Sequence, residues 1–111
     1  FIEKTGEYAV HIALTHRGRP ILSVVALPEQ EKVYYATLGG GSFVETSDGA
    51  TRTLRVSQRD RPEDLTAVVS RTHRDQRFDQ LLSQLTLQKR LLVGSVGCKV
   101  VAIIEHLADV Y

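Results

Sequence analysis

The chain has 111 residues, the size of one small domain, and its 42% apolar and 24% charged content is that of an ordinary globular protein. A formal net charge of +1 gives it no general affinity for nucleic acid or for an anionic membrane. No apolar run is long enough to span a bilayer.

The first half reads as a series of short strands. Residues 1–7 are polar and contain Gly6, a loop entering a strand. Tyr8–Leu14 and Pro20–Leu27 are rich in apolar and β-branched residues, and His16-Arg17-Gly18 turns the chain between them. Pro28 closes the second strand, and Lys32–Thr37 forms a third. Gly39-Gly40-Gly41 precedes a short fourth strand, Ser42–Glu45. This triple glycine lacks a following Gly-Lys-Ser/Thr and no helical pattern comes after it, so it reads as a sharp turn rather than a phosphate loop. Thr46–Thr51 is a polar tip with Asp48-Gly49, a hairpin signal, and Thr53–Val56 returns as a fifth strand. His11 and His16 lack metal-ligand spacing and read as surface or turn residues.

Composition shifts over residues 57–65, where Arg59-Asp60-Arg61-Pro62-Glu63-Asp64 forms a polar link. We place the end of one domain part at residue 57, a linker at 58–65 and a second part at 66–111. Thr66–Val69 reads as a buried strand, with Ser70-Arg71-Thr72-His73 at its end. Asp75 is placed to cap a helix over 76–85, whose Phe78, Leu81, Leu82 and Leu85 recur at helical spacing. Leu91–Val93 is another strand, and Ala108–Tyr111 starts a further one. The fold class is therefore α/β: an antiparallel meander followed by a β-α-β-α-β unit.

Gly94-Ser95-Val96-Gly97-Cys98-Lys99 stands before the apolar run Val100–Ile104, which reads as a buried helix. A helix start carries free N–H groups and a partial positive charge, which attract phosphate. Ser95 adds a hydroxyl donor there, and Lys99 places an ammonium near the same point. The alternative is a tight turn opening a buried helix, with Lys99 in solvent. In parallel sheets ligands sit beyond the carboxyl ends of the strands, so residues 70–73 and 94–99 converge on one crevice. Cys98 is the single cysteine, so no internal disulfide forms, which fits a reducing compartment and a cytoplasmic location. The chain has no Met and starts on Phe1, and we expect it to be an internal piece of a longer protein.

The sequence resembles the inositol-monophosphatase superfamily, and within it the 3'(2'),5'-bisphosphate nucleotidases of the CysQ type. The likeness rests on residues 4–14, on Gly18–Val25, on Val69-Ser70-Arg71-Thr72-His73, on the Gly94–Lys99 turn and on Ala108-Asp109-Val110-Tyr111. It implies an internal fragment of a layered αβαβα sandwich. It also implies that the family's Asp-Pro-(Ile/Leu)-Asp-Gly-Thr signature lies before Phe1 and its Trp-Asp motif after Tyr111. The metal ligands and catalytic residues are then expected outside this chain.

What the resemblance implies is a Mg²⁺-dependent phosphatase that removes the 3'-phosphate of 3'-phosphoadenosine 5'-phosphate to give AMP. Ser70 and His73 would help hold the nucleotide, and Ser95 and Lys99 the non-reacting phosphate. The expected partner is this small nucleotide bisphosphate, with neither nucleic acid nor membrane, and the fragment alone is expected to be inactive. Two alternatives stand beside it: an inositol monophosphatase or sugar bisphosphatase of the same superfamily, and a non-catalytic nucleotide-binding remnant.

Overall fold

The computed structural model describes residues 5–71 and 76–111. The chain divides into two compact units, Phe1–Arg55 and Val56–Tyr111. Among the described residues no helix is long and apolar enough to cross a membrane.

The first unit is a five-stranded antiparallel meander of β1 (Val10–His16), β2 (Arg19–Leu27), β3 (Lys32–Thr37), β4 (Gly41–Thr46) and β5 (Thr51–Thr53), paired in chain order. His16 belongs to β1 and not to the turn. Arg17 and Gly18 alone reverse the chain, with φ of 49° and 75°, and both central residues of such a tight hairpin require positive φ. This carries β1 two residues further along the chain than its apolar run indicates. The triple glycine is the sharp turn expected. Gly39 and Gly41 sit at φ of 77° and 94°, a region that costs other residues strain. The fifth strand lies earlier than expected, at Thr51–Thr53. Asp48 explains the shift: its carboxylate accepts from the Thr46 hydroxyl at 2.5 Å and from the Ala50 N–H at 3.1 Å. That closes the tip tightly and lets pairing resume at Glu45 with Thr51.

Alternation along the strands gives this sheet two different faces. Leu27, Tyr34 and Val44 are buried on one of them. Val10, Ile12 and Leu14 are exposed on the other, opposite Ala26, Val24 and Leu22. Tyr35 and Phe43, paired across β3 and β4, stack on that second face with ring centroids 5.5 Å apart.

The second unit holds β6 (Thr66–Ser70), α1 (Gln76–Gln84), β7 (Lys89–Val93) and α2 (Val96–Ile104). β6 and β7 pair in parallel, from Thr66 with Lys89 to Ser70 with Val93. β6 is buried on both faces, as a strand covered by crossover helices must be. Ala67 and Val69 pack with Leu82 of α1, while Val68 packs with Val93, Ala102 and Ala108. The further strand expected over residues 108–111 is a single parallel bridge, Ala67 with Val110. The helix expected behind Lys99 begins earlier, at Val96, so the turn shrinks to Gly94 and Ser95. The capping role expected of Asp75 falls outside the described residues.

Candidate functional site

The carboxyl ends of β6 and β7 lie side by side, and α2 starts directly after β7. Ser70 is the last residue of β6. Lys99 lies in the first turns of α2, its N–H donating to the Ser95 carbonyl at 3.1 Å. The lysine side chain runs back across the strand ends, and its Nζ donates to Ser70 Oγ at 2.8 Å. Lys99 is only 2% exposed. The reading of Lys99 in solvent is thereby overturned: the packing of α2 on β6 puts its stem in the core. Two segments that the sequence only suggested would converge are in direct contact.

A buried ammonium is costly unless its charge is met. Among the described residues no carboxylate pairs with Lys99; it meets the Ser70 hydroxyl and the face of Tyr111, whose ring centroid is 4.4 Å from Nζ. With the tyrosine more than half exposed, such a contact contributes about 1 kcal/mol. The influence runs both ways. A hydrogen bond with Lys99 lowers the Tyr111 phenol below its ordinary value; burial opposes this, and the lysine's charge and the Ser70 hydroxyl reinforce it.

Ser95 is the N-cap of α2, with extended backbone at φ −80° and ψ 142°, but its hydroxyl makes no cap hydrogen bond. The N–H groups at this helix start have no partners within the helix. His73 lies outside the described residues. The structure thus joins Ser70 to Lys99 and puts Ser95 one helical turn before the lysine.

The end of α2 explains why Tyr111 reaches the same place. His106 adopts φ 61°, its N–H donates to Ile103 and the Leu107 N–H donates to Ala102, a left-handed helix stop. The chain then turns back along β6. Asp109 anchors it there. Its carboxylate accepts from the Thr66 N–H at 2.8 Å, from Arg59 Nε at 2.9 Å and from the Ser57 hydroxyl. Arg59 also donates to the His106 carbonyl at 2.9 Å. Burial by itself would raise the Asp109 carboxyl, but Ser57, Thr66 and Arg59 outweigh it and hold it below the usual carboxylate range. Sequence reading named neither Asp109 nor Tyr111 as a site residue. The available signal was that Ala108-Asp109-Val110-Tyr111 is one of the segments that carry the family resemblance.

Among the described residues no three His, Cys, Asp or Glu side chains come together in a way that would hold a metal ion. Asp109, whose side chain is almost fully buried, is already committed to three donors. The donor set of the described residues does not fit a resident metal.

The chain matches the inositol monophosphatase family over residues 1–111. It belongs to that family. The 3'(2'),5'-bisphosphate nucleotidase CysQ of Salmonella typhimurium is 32% identical over 111 residues, covering all of this chain and 43% of the relative. Among solved structures, Mycobacterium tuberculosis SuhB matches with a TM-score of 0.86 at 20% identity, over 99% of this chain and 46% of that one. CysQ from Bacteroides thetaiotaomicron, described as a bacterial member of the inositol monophosphatase family, matches with a TM-score of 0.75 at 23% identity, over 98% of this chain and 46% of that one. These likenesses show the fold of the family, and the chain spans less than half the length of each of these relatives.

Proposed function

We propose that this chain supplies the phosphate-recognising part of a phosphatase that acts on a nucleotide bisphosphate, with 3'-phosphoadenosine 5'-phosphate as substrate and AMP as product. The observation that carries this reading is the buried Lys99 ammonium, which meets Ser70 and no carboxylate among the described residues. A cation held this way is a receptor for an anion arriving from outside the chain. Ser70 accepts from Lys99 and its hydroxyl also reaches the Tyr111 phenol, so a polar group stands directly over the buried ammonium. The unpaired N–H groups at the start of α2 and the Ser95 hydroxyl face the same anion. The likeness to bisphosphate nucleotidases supports this choice over a simple monoester, which has no second phosphate to present. His73 completes the nucleotide site in this reading.

The chemistry itself belongs elsewhere. Mg²⁺ supplies an activated water and neutralises the leaving oxygen in such enzymes. Its ligands are expected outside this chain, whose own residues bind and orient. The 111-residue chain with Mg²⁺ should therefore release no phosphate from 3'-phosphoadenosine 5'-phosphate above a protein-free blank.

The test is Lys99→Ala in a longer protein that carries this chain together with metal-binding segments. A charge-assisted hydrogen bond contributes about 1.5–3 kcal/mol. kcat/KM on the bisphosphate should fall roughly tenfold to a hundredfold, with little change on inositol 1-phosphate. Equal losses on the two substrates would mean that Lys99 serves the fold, and the pocket assignment would be dropped.

A further inference from the structure

Lys99 is too deeply buried to face a ligand alone, so what covers it determines what an incoming anion meets. Two groups do so. Ser70 is half-buried and touches Nζ, and Tyr111 is 57% exposed with its ring over the same Nζ. Both bear hydroxyls. Both are brought there by long-range features rather than by local sequence: Ser70 by the end of β6, Tyr111 by the helix stop at His106 and the Asp109 anchor.

We infer that Tyr111 is a further specificity-determining residue of this site, forming with Ser70 a hydroxyl rim over the buried Lys99 ammonium that takes the non-reacting phosphate of a nucleoside 5'-phosphate. The inference rests on the phosphate-pocket reading of Lys99. Tyr111 acts in two ways. Its ring holds the ammonium in place, so the cation is positioned before ligand arrives. Its phenol is turned into a stronger donor by the lysine and Ser70, the same pull that lowers it below the ordinary phenol value. A neutral ligand such as a nucleoside gains from neither effect. The residue therefore discriminates phosphorylated from unphosphorylated ligands without taking part in bond cleavage.

Two substitutions separate the ring from the hydroxyl. Tyr111→Phe keeps the ring over Nζ and removes the donor. Tyr111→Leu removes both. Tyr111 is exposed, so neither change should disturb the fold, which an amide NMR spectrum of each variant checks. The probes are AMP and adenosine, titrated into the 111-residue chain. Wild type should bind AMP more tightly than adenosine. Tyr111→Leu should weaken AMP roughly tenfold or more, and Tyr111→Phe by a smaller factor of roughly three to five, as loss of one hydrogen bond without the cation contact predicts. Adenosine affinity should stay constant across all three proteins. If wild type prefers AMP but Tyr111→Leu binds it equally well, the role of Tyr111 is overturned and the Lys99 pocket stands. If wild type binds AMP no better than adenosine, the pocket reading falls and the role of Tyr111 falls with it. A parallel loss of adenosine binding in Tyr111→Leu would make the tyrosine a base-stacking group, which also overturns the inference.

Discussion

The two units handle buried surface in opposite ways. The antiparallel sheet β1–β5 buries Leu27, Tyr34 and Val44 but leaves Val10, Ile12 and Leu14 in water, and the whole of β1 is exposed. The parallel pair β6–β7 is the reverse: four consecutive residues of β6 are buried, with apolar partners on both sides. A strand enclosed on both faces gives its end a low-dielectric setting, where a hydroxyl and an ammonium interact strongly. That is where Ser70 and Lys99 meet. The antiparallel sheet, with the whole of β1 exposed, gives its first strand no such setting. The buried polar contact between Ser70 and Lys99 therefore lies in the unit with the fewer strands.

The largest expected effect breaks the contrast at its strongest point. Val68→Asp buries a carboxylate at a position with 0% exposure and should cost more than about 4 kcal/mol, enough to unfold the second unit. Ile12→Lys, at 62% exposure, should change stability by no more than about 0.5 kcal/mol. Urea titrations of both variants give the comparison. Similar costs would mean that the exposed face of β1 is covered in solution.

Next in size is the Asp109 anchor. Asp109→Ala strands the Ser57 hydroxyl, the Thr66 N–H and Arg59, and should cost about 3 kcal/mol. Its pH signature follows from the direction of the shift. The folded carboxyl titrates below the unfolded one, so the unfolded chain binds more protons between the two values. The Asp109 contribution is fully present above the unfolded aspartate value and is lost as pH falls through the folded one. Wild type should lose stability over that acid window, and Asp109→Asn should lose less. An identical acid slope in the two proteins would remove Asp109 from the account.

The smallest effect compares one tyrosine from each unit. Tyr8 is raised above the ordinary phenol value, first by desolvation and then by the charge and hydrogen bond of Glu29. Tyr111 is lowered, first by its hydrogen bond with Lys99. In an ultraviolet titration of tyrosinate, Tyr111 should ionise before Tyr8. Tyr111→Phe should delete the early part of the curve, and Tyr8→Phe should leave that part in place. A curve whose early part survives Tyr111→Phe would place the phenol away from Lys99.

The contrast also explains what was legible in the sequence. Hairpins are written locally. The triple glycine turned the chain where expected, and each strand of the meander fell on or beside its apolar run. The errors there came from side chains that set the exact register: the positive φ at Arg17 extended β1, and the Asp48 carboxylate drew β5 back to Thr51. In the second unit the strands, helices and the approach of Ser70 to Lys99 could be expected from the order of elements. The burial of the lysine could not, because a Lys after Gly-Cys looks the same whether its stem is in the core or in water. Asp109 and Tyr111 were illegible for a stronger reason. Their partners lie at Ser57, Arg59, Thr66, Ser70 and Lys99, and only the completed fold brings them within reach.

The central claim is that the Ser70–Lys99 pair receives a phosphate. Its most direct test is ¹⁵N-lysine NMR of the 111-residue chain, with the Lys99 side-chain resonance assigned by its absence in Lys99→Ala. Titration with AMP should move or sharpen the Lys99 Nζ signal in a saturable way, and adenosine at the same concentrations should leave it in place. A Lys99 signal that ignores AMP, or that responds equally to adenosine, would contradict the account.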